Sequence, residues 1–320
     1  VSTASAMSAV GGVSAVAGVK PISVVGEALV DLVAQPDGCT FAAHPGGGPA
    51  NVAIAVARLG VPAALSTRLG DDLLGVMVRD HLDRSCVDTT VLPAATADTS
   101  VAFAQTDEHG VARYDFRIAW DVERVPVRAG AAFLHTGSLA AALAPAAVEA
   151  AMRAAKTAKI PVSYDPNIRP ALAGPVAVAR SRFERQVGLA DVVKVSEEDL
   201  DWLYPGTDPV RRSEALLILG PRLVVLTRGA AGAHAVTNSL AVDRAAPAVE
   251  VVDTVGAGDG FTAGLLCVLA RSGVPLGRLD EATVTRALDL ANLVGARTCA
   301  RPGADPPRLS ELGPAAALLG

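Results

Sequence analysis

The chain has 320 residues, of which 51% are hydrophobic but only 3% aromatic, and its formal net charge is −5. That length allows one large domain or two small ones with an ample core. The acidic balance argues against a nucleic-acid surface, and no apolar run reaches the length needed to span a membrane. Much of the apolar content is Ala and Val, which suits close-packed helices on a buried parallel sheet. The four cysteines (Cys39, Cys86, Cys267, Cys299) are far apart, with neither metal spacing nor a disulfide framework, so the cytoplasm is the expected compartment.

Residues 1–19 are small, repetitive and nearly uncharged, without the basic start of a signal peptide; a disordered tail is expected, followed by one domain over 20–320. The segment 21–32 reads as a first strand ending on acids. Asp31 interrupts an apolar run, and a buried carboxylate there needs donors, either sugar hydroxyls or backbone amides. A short strand is expected near 37–44. Gly46, Gly47 and Gly48 then precede an Ala-rich helix, marking a close approach of backbone to something. Asn51, near the start of that helix, is either its N-cap or a ligand-binding group. A strand over 63–69 and a helix from about 70 to Ser85 follow.

The pattern changes at 99–118, where two β-type runs flank a turn over 107–110. This reads as a hairpin inserted into an alternating β/α chain, a candidate lid. His109 in its turn is expected to be solvated. The alternation resumes with a strand over 131–134, a helix over 145–159 and a strand over 161–165. In open α/β sheets ligands bind beyond the carboxyl ends of strands. Asn167 and Arg169, just past Asp165, are therefore well placed. A strand over 191–195 carries Lys194 and leads into Ser196 and Asp199, spaced as a capping box. A buried strand over 223–227 ends at Thr227 in a glycine-rich turn with Gly229 and Gly232.

The apolar run 249–252 then gives way to Asp253-Thr254-Val255-Gly256-Ala257-Gly258-Asp259 and a long apolar segment, read as strand, tight turn and helix. Amides at the turn and helix start favour an anion. Asp259 sits where the turn becomes the helix. It is either a helix cap or a proton acceptor beside an anion cradle, the latter suited to phosphoryl transfer to a hydroxyl. A dinucleotide-binding turn does not fit, because Phe261 occupies the third-glycine position. No glycine–lysine P-loop or kinase His-Arg-Asp loop occurs. A last helix is expected over 281–296, followed by Arg301-Pro302-Gly303-Ala304-Asp305-Pro306-Pro307.

Taken together, these motifs resemble the PfkB/ribokinase family of sugar kinases from about Ser23 to Pro307, and most of all its fructokinase branch. The segment 45–51 looks like the family's first signature, and 253–264 like its second, highly specific one. The resemblance implies a ribokinase-like α/β fold, a parallel sheet sandwiched by helices with a small β lid. It implies Asp259 as general base, with the amides of Gly256, Ala257 and Gly258 holding the transferring phosphoryl group. Asp31, Gly47, Gly48, Asn51, Asn167 and Arg169 fall at sugar-binding positions. Lys194, Thr227, Gly229, Gly232, Gly258 and Asn292 fall on the ATP side. Mg²⁺ and a potassium-type ion are implied, with Asp253, Val255 and Asp199 as metal-side positions. No nucleic-acid or membrane partner is implied, and a homodimer is allowed.

Two departures stand out. The residue after the base is often Ala in relatives and is Gly260 here, which should loosen the helix start. The family's Asn-x-x-Glu motif reads Ser196-x-x-Asp199. D-Fructose is the expected substrate. 2-Keto-3-deoxygluconate, or a catalytically silent PfkB-like binding protein, is the alternative. A carboxylate-bearing sugar would call for Arg113, Arg117 and Arg169 to turn inward.

Overall fold

The computed structural model describes residues 18–37, 39–96, 98–106 and 112–320, with the side chains of 106 and 112–114 also left aside. The expected tail (apart from Gly18 and Val19) and the hairpin turn with His109 lie outside the described residues.

Thirteen strands are described: β1 (Ile22–Val25), β2 (Leu29–Ala34), β3 (Phe41–Gly46), β4 (Ala63–Thr67), β5 (Asp88–Val91), β6 (Val101–Thr106), β7 (Ala112–Arg117), β8 (Phe133–Gly137), β9 (Val162–Asp165), β10 (Val192–Ser196), β11 (Leu223–Thr227), β12 (Ala233–Val236) and β13 (Ala241–Arg244). The α-helices are α1 (Gly48–Arg58), α2 (Leu73–Arg84), α3 (Ser138–Leu143), α4 (Pro145–Thr157), α5 (Pro170–Ala173), α6 (Val176–Val187), α7 (Glu197–Leu203), α8 (Pro209–Ala215), α9 (Ala257–Ser272) and α10 (Glu281–Cys299). The large sheet runs β13-β12-β11-β10-β9-β8-β1-β4-β5, and a second sheet of four runs β3-β2-β6-β7. From β5 to β11 the large sheet is parallel, and β12 and β13 add antiparallel strands at one edge.

Both faces of the large sheet are covered, so its strands are apolar throughout rather than alternating. Successive side chains still point to opposite faces. Val24, Leu223 and Val225 join the core beneath α1, α9 and α10, whereas Val25, Val224 and Leu226 join the core beneath α4, α6 and α7. Helices α9 and α10 lie unusually close. A Cβ on Gly264 would stand 2.8 Å from the Ala291 Cα, and one on Gly260 would stand 2.8 Å from the Thr298 hydroxyl. Gly260, expected to loosen the helix start, instead admits α10 to it.

Two sequence expectations need correction. The segment 21–32 is two strands in two sheets, not one. The chain leaves the large sheet after Val25, where a Cβ on Gly26 would collide with Pro49 at 2.2 Å, and re-enters as β2 of the small sheet. The run 249–252 is not a strand. Val251 and Val252 are exposed, and the Val252 and Asp253 amides both donate to the Cys299 carbonyl. Their β-branched composition was misleading because these amides are taken by the end of α10 and not by a strand. The short edge strand β5 had too few apolar residues to signal itself. The hairpin, by contrast, is present as β6 and β7, paired antiparallel from Val101↔Arg117.

Candidate active site

Helix α9 starts at a left-handed residue, Gly256, with φ +77°. A Cβ there would lie 2.6 Å from the Ala304 Cβ, so glycine is needed both for the turn and for the close approach of the 300–305 loop. Among the described residues the Gly258 and Asp259 amides have no acceptor, whereas the Ala257 N–H, expected to face the phosphoryl group, bonds the Thr254 carbonyl at 3.3 Å and the Gly260 N–H bonds the Gly256 carbonyl. These are the orphan donors of a helix first turn, and they form an anion-binding surface. A Cβ on Gly258 would meet only the Lys194 ammonium, at 3.1 Å, so this lysine comes from β10 to the side of the turn.

Asp259 lies in that first turn and is 8% exposed. It does not act as the N-cap, which is Gly256. Its Oδ2 instead accepts from Asn51 Nδ2 at 2.9 Å, joining α9 to α1 across 208 residues of sequence. Asn51 is not an N-cap either: Gly47, at φ +103°, holds that place, and Asn51 N–H bonds its carbonyl. Burial pushes the Asp259 carboxyl up to about 6, and the charge of Asp165 adds to the rise. The Asn51 hydrogen bond, Lys194 and Arg169 oppose it. At neutral pH the group is therefore mostly ionised but is a stronger base than an exposed aspartate.

Behind Asp259 lies a charged cluster. Lys194 Nζ bonds Asp165 Oδ2 at 3.0 Å, and the Thr262 hydroxyl reaches the same oxygen at 3.5 Å. Burial works against the Lys194 charge, but Asp165, Asp199 and Asp259 outweigh it and hold the ammonium above the ordinary lysine range. Asp199 completes the capping box with Ser196, and its Oδ1 accepts from Ile168 N–H at 2.8 Å. Burial and Asp165 raise its carboxyl. Asp165, Asp199 and Asp259 face one lysine, all four nearly buried. The cluster thus has excess negative charge, which suits a divalent cation brought in with phosphate.

In front of Asp259 the sequence-identified residues from three elements meet. Gly48 opens α1. A Cβ there would stand 3.0 Å from Asn167 Nδ2, 3.3 Å from Asp259 Oδ1 and 3.4 Å from Ser138 Oγ. Asn167, at φ +38°, is turned by its own amide's bond to Asp165 Oδ1, and its Oδ1 accepts from Arg169 Nη1 at 2.7 Å. Asp31 comes from β2 of the small sheet, its Oδ2 lying 2.2 Å from where a Gly46 Cβ would be. Burial pushes it up to about 6, opposed by the charges of Arg169 and His44, while Asp259 raises it further. Arg169 thus stands within electrostatic reach of both carboxylates. The sequence reading missed Ser138, although its place at the carboxyl end of β8 is where ligands are expected.

On the other side of the turn, Thr227 ends β11 beside Ser196, and Gly229 has φ +52° with open space around it. Gly232 is held by packing, since a Cβ would stand 2.0 Å from the Arg244 carbonyl. Asn292 is buried in α10 and donates to the Arg244 and Ala245 carbonyls. Asp253 accepts from Val255 N–H at 3.0 Å and Gly303 N–H at 2.8 Å, stitching the turn to the 300–305 loop. Among the described residues no group of three or more His, Cys, Asp or Glu side chains stands ready for a metal ion, and no helix is long and apolar enough to cross a membrane.

The sequence profile of the pfkB family carbohydrate kinases matches residues 20–311. A fructokinase of Klebsiella pneumoniae is 37% identical over 265 residues, covering 79% of this chain and 86% of the relative. Among solved structures, a fructokinase double mutant of Vibrio cholerae O395 with fructose, ADP and potassium bound is 30% identical. It superimposes with a TM-score of 0.76 over 89% of this chain and 94% of that one. An ATP-bound fructokinase from Xylella fastidiosa, also 30% identical, gives 0.78 over 89% and 93%.

Proposed function

The chain belongs to the pfkB family of carbohydrate kinases, and on that premise we propose that it phosphorylates a primary hydroxyl of D-fructose, with Asp259 as the general base. It is an ATP-dependent sugar kinase. The observation that carries the mechanism is the placement of one buried, Asn51-anchored carboxylate in the same helix turn as two orphan amides.

In this reading the sugar hydroxyl approaches over Gly48, between Asn167 and Asp259. Asp259 takes its proton as the oxygen attacks the γ-phosphorus of ATP, and the bond to the ADP oxygen breaks. The Gly258 and Asp259 amides, the helix terminus and Lys194 hold the charge of the transferring group. Asp31 receives sugar hydroxyls from the small sheet, which serves as the lid. The nucleotide lies along Thr227, Gly229 and α10 near Asn292. When bound, Mg²⁺ supplies charge neutralisation at the phosphates, and the excess of carboxylates around Lys194 accommodates it. Asp199 contributes to that field while its oxygens remain tied to the Ile168 and Ser196 amides. Asp253 and the carbonyls near Val255 would hold a potassium-type ion.

Fructose is favoured over a carboxylate-bearing sugar by Arg117, while the Arg113 side chain lies outside the described residues. Arg117 is exposed and paired with Asp115 at 2.6 Å, and Arg169 is tethered to Asn167. Arg117 thus presents no free fork for a carboxylate, whereas Arg169 is engaged through Nη1 alone. The fructokinase relatives support the same choice. Side-by-side kcat/KM values for fructose and 2-keto-3-deoxygluconate test it. Fructose should be preferred, and a preference for the acid of about tenfold, some 1.4 kcal/mol in transition-state binding, would overturn the assignment.

A further inference from the structure

Between β1 and β2 the chain buries another acid, which none of the motifs includes. Glu27 is 2% exposed. Its Oε2 accepts from Ala140 N–H at 2.9 Å and its Oε1 from Leu139 N–H at 3.3 Å. Burial, the largest influence, raises the Glu27 carboxyl, and the hydrogen bonds it accepts work against it. The backbone on the same side is constrained as well. The Glu27 carbonyl lies 2.6 Å from where a Cβ on Gly47 would be, at the N-cap of α1. Glu27 therefore ties the entry of α1 to the start of α3.

Ser138 has φ +51°, a left-handed conformation that a residue with a Cβ rarely adopts unless its surroundings enforce it. The effect of that turn is to bring Oγ to the open side of Gly48, beside Asn167 Nδ2 and Asp259 Oδ1. A hydroxyl has one proton and two lone pairs. Glu27 holds the backbone just after Ser138 through the Leu139 and Ala140 amides, and Ser138 Oγ faces the site next to an amide donor on Asn167 and the Asp259 carboxylate.

We propose that Ser138 Oγ accepts a hydrogen bond from a substrate hydroxyl, and that Glu27 is a positioning residue that fixes Ser138 in that role. The inference rests on the reading of this cleft as the sugar site. Steady-state kinetics with sugar and ATP varied separately test it, on the unaltered chain, Ser138→Ala, Glu27→Gln and the double variant. Loss of one neutral hydrogen bond predicts a rise in sugar KM of about three- to tenfold for Ser138→Ala, with ATP KM unchanged. Glu27→Gln places an amide donor where a carboxylate oxygen accepted, and a comparable rise is expected. Because Glu27 acts through Ser138, the double variant should be no worse than Ser138→Ala.

Single effects that multiply in the double variant, or an ATP KM that rises in step, would overturn the inference, as would a sugar KM changed less than about twofold in Ser138→Ala. Should Glu27→Gln not fold, a panel of deoxy sugars on Ser138→Ala still decides. One sugar, lacking the contacted hydroxyl, should have a KM insensitive to the substitution; equal losses for all would contradict the contact. Turnover of no sugar by the unaltered chain would remove the site reading and the inference together, whereas an unchanged sugar KM in Ser138→Ala would remove the inference alone.

Discussion

Replacing Gly48 by Ala separates what the site needs for catalysis from what the fold needs for stability. Gly48 is the first residue of α1 and is not among the glycines with positive φ, so its backbone already suits alanine. The added methyl would meet only side-chain atoms, Asn167 Nδ2 at 3.0 Å, Asp259 Oδ1 at 3.3 Å and Ser138 Oγ at 3.4 Å. Each must give by a few tenths of an ångström. Alanine within a helix is favoured over glycine by roughly 0.5–1 kcal/mol, which offsets mild crowding of that kind. The melting temperature should therefore move by no more than about 3 °C. Activity should respond very differently, because the methyl fills the space through which a hydroxyl reaches Asp259. A displacement near 1 Å at a reacting centre costs on the order of 10² in rate, so sugar kcat/KM should fall by about that factor while ATP KM stays put. A coupled ADP-release assay and a thermal melt on the same preparation give both numbers. A variant keeping its sugar kcat/KM would show that no substrate approaches over Gly48, and a large loss of melting temperature would make the glycine structural.

The other expectations concern the two raised carboxylates. Asp31→Ala removes the acid of the small sheet and should raise sugar KM well beyond ATP KM; an unchanged sugar KM in a folded variant would make Asp31 structural. The kcat/KM for sugar should fall on the acid side with a midpoint near 6, the value to which burial pushes both Asp31 and Asp259. Protonation disables the base and weakens sugar binding, so activity is present above that pH and lost below it. Two acids titrating together should make the limb steeper than first order, and Asp31→Asn should reduce it to a single titration. A midpoint near the ordinary carboxylate value of about 4 would refute the argument from burial.

The sequence already contained the alternation of strands and helices, the hairpin and the glycine turn, because each is written in local periodicity and turn chemistry. Asp259, Asn51 and Asn167 were legible as candidates for the same reason: each sits where a glycine-rich or proline-bounded stretch meets a helix or strand end. Their meeting point was not legible. The bond between Asn51 and Asp259 spans 208 residues, and only packing of α1 on α9 creates it. The division of 21–32 between two sheets turns on the contact of Gly26 with Pro49, which no local pattern records. The run 249–252 has the composition of a strand, but the Val252 and Asp253 amides go to the Cys299 carbonyl at the end of α10. Glu27 was not singled out in the sequence, because its partners lie more than 100 residues on, next to Ser138, whose left-handed φ nothing in its identity suggests.

The central claim is that Asp259 removes the proton from the sugar hydroxyl, and Asp259→Asn tests it most directly. Asparagine keeps the size of the side chain and an oxygen for the Asn51 bond, but cannot take the proton. The account predicts a fall in kcat of roughly 10² to 10⁴, with ATP and fructose still binding within a few-fold of the unaltered protein by calorimetry. A variant that binds both and retains more than about a tenth of its turnover would contradict the assignment of the base.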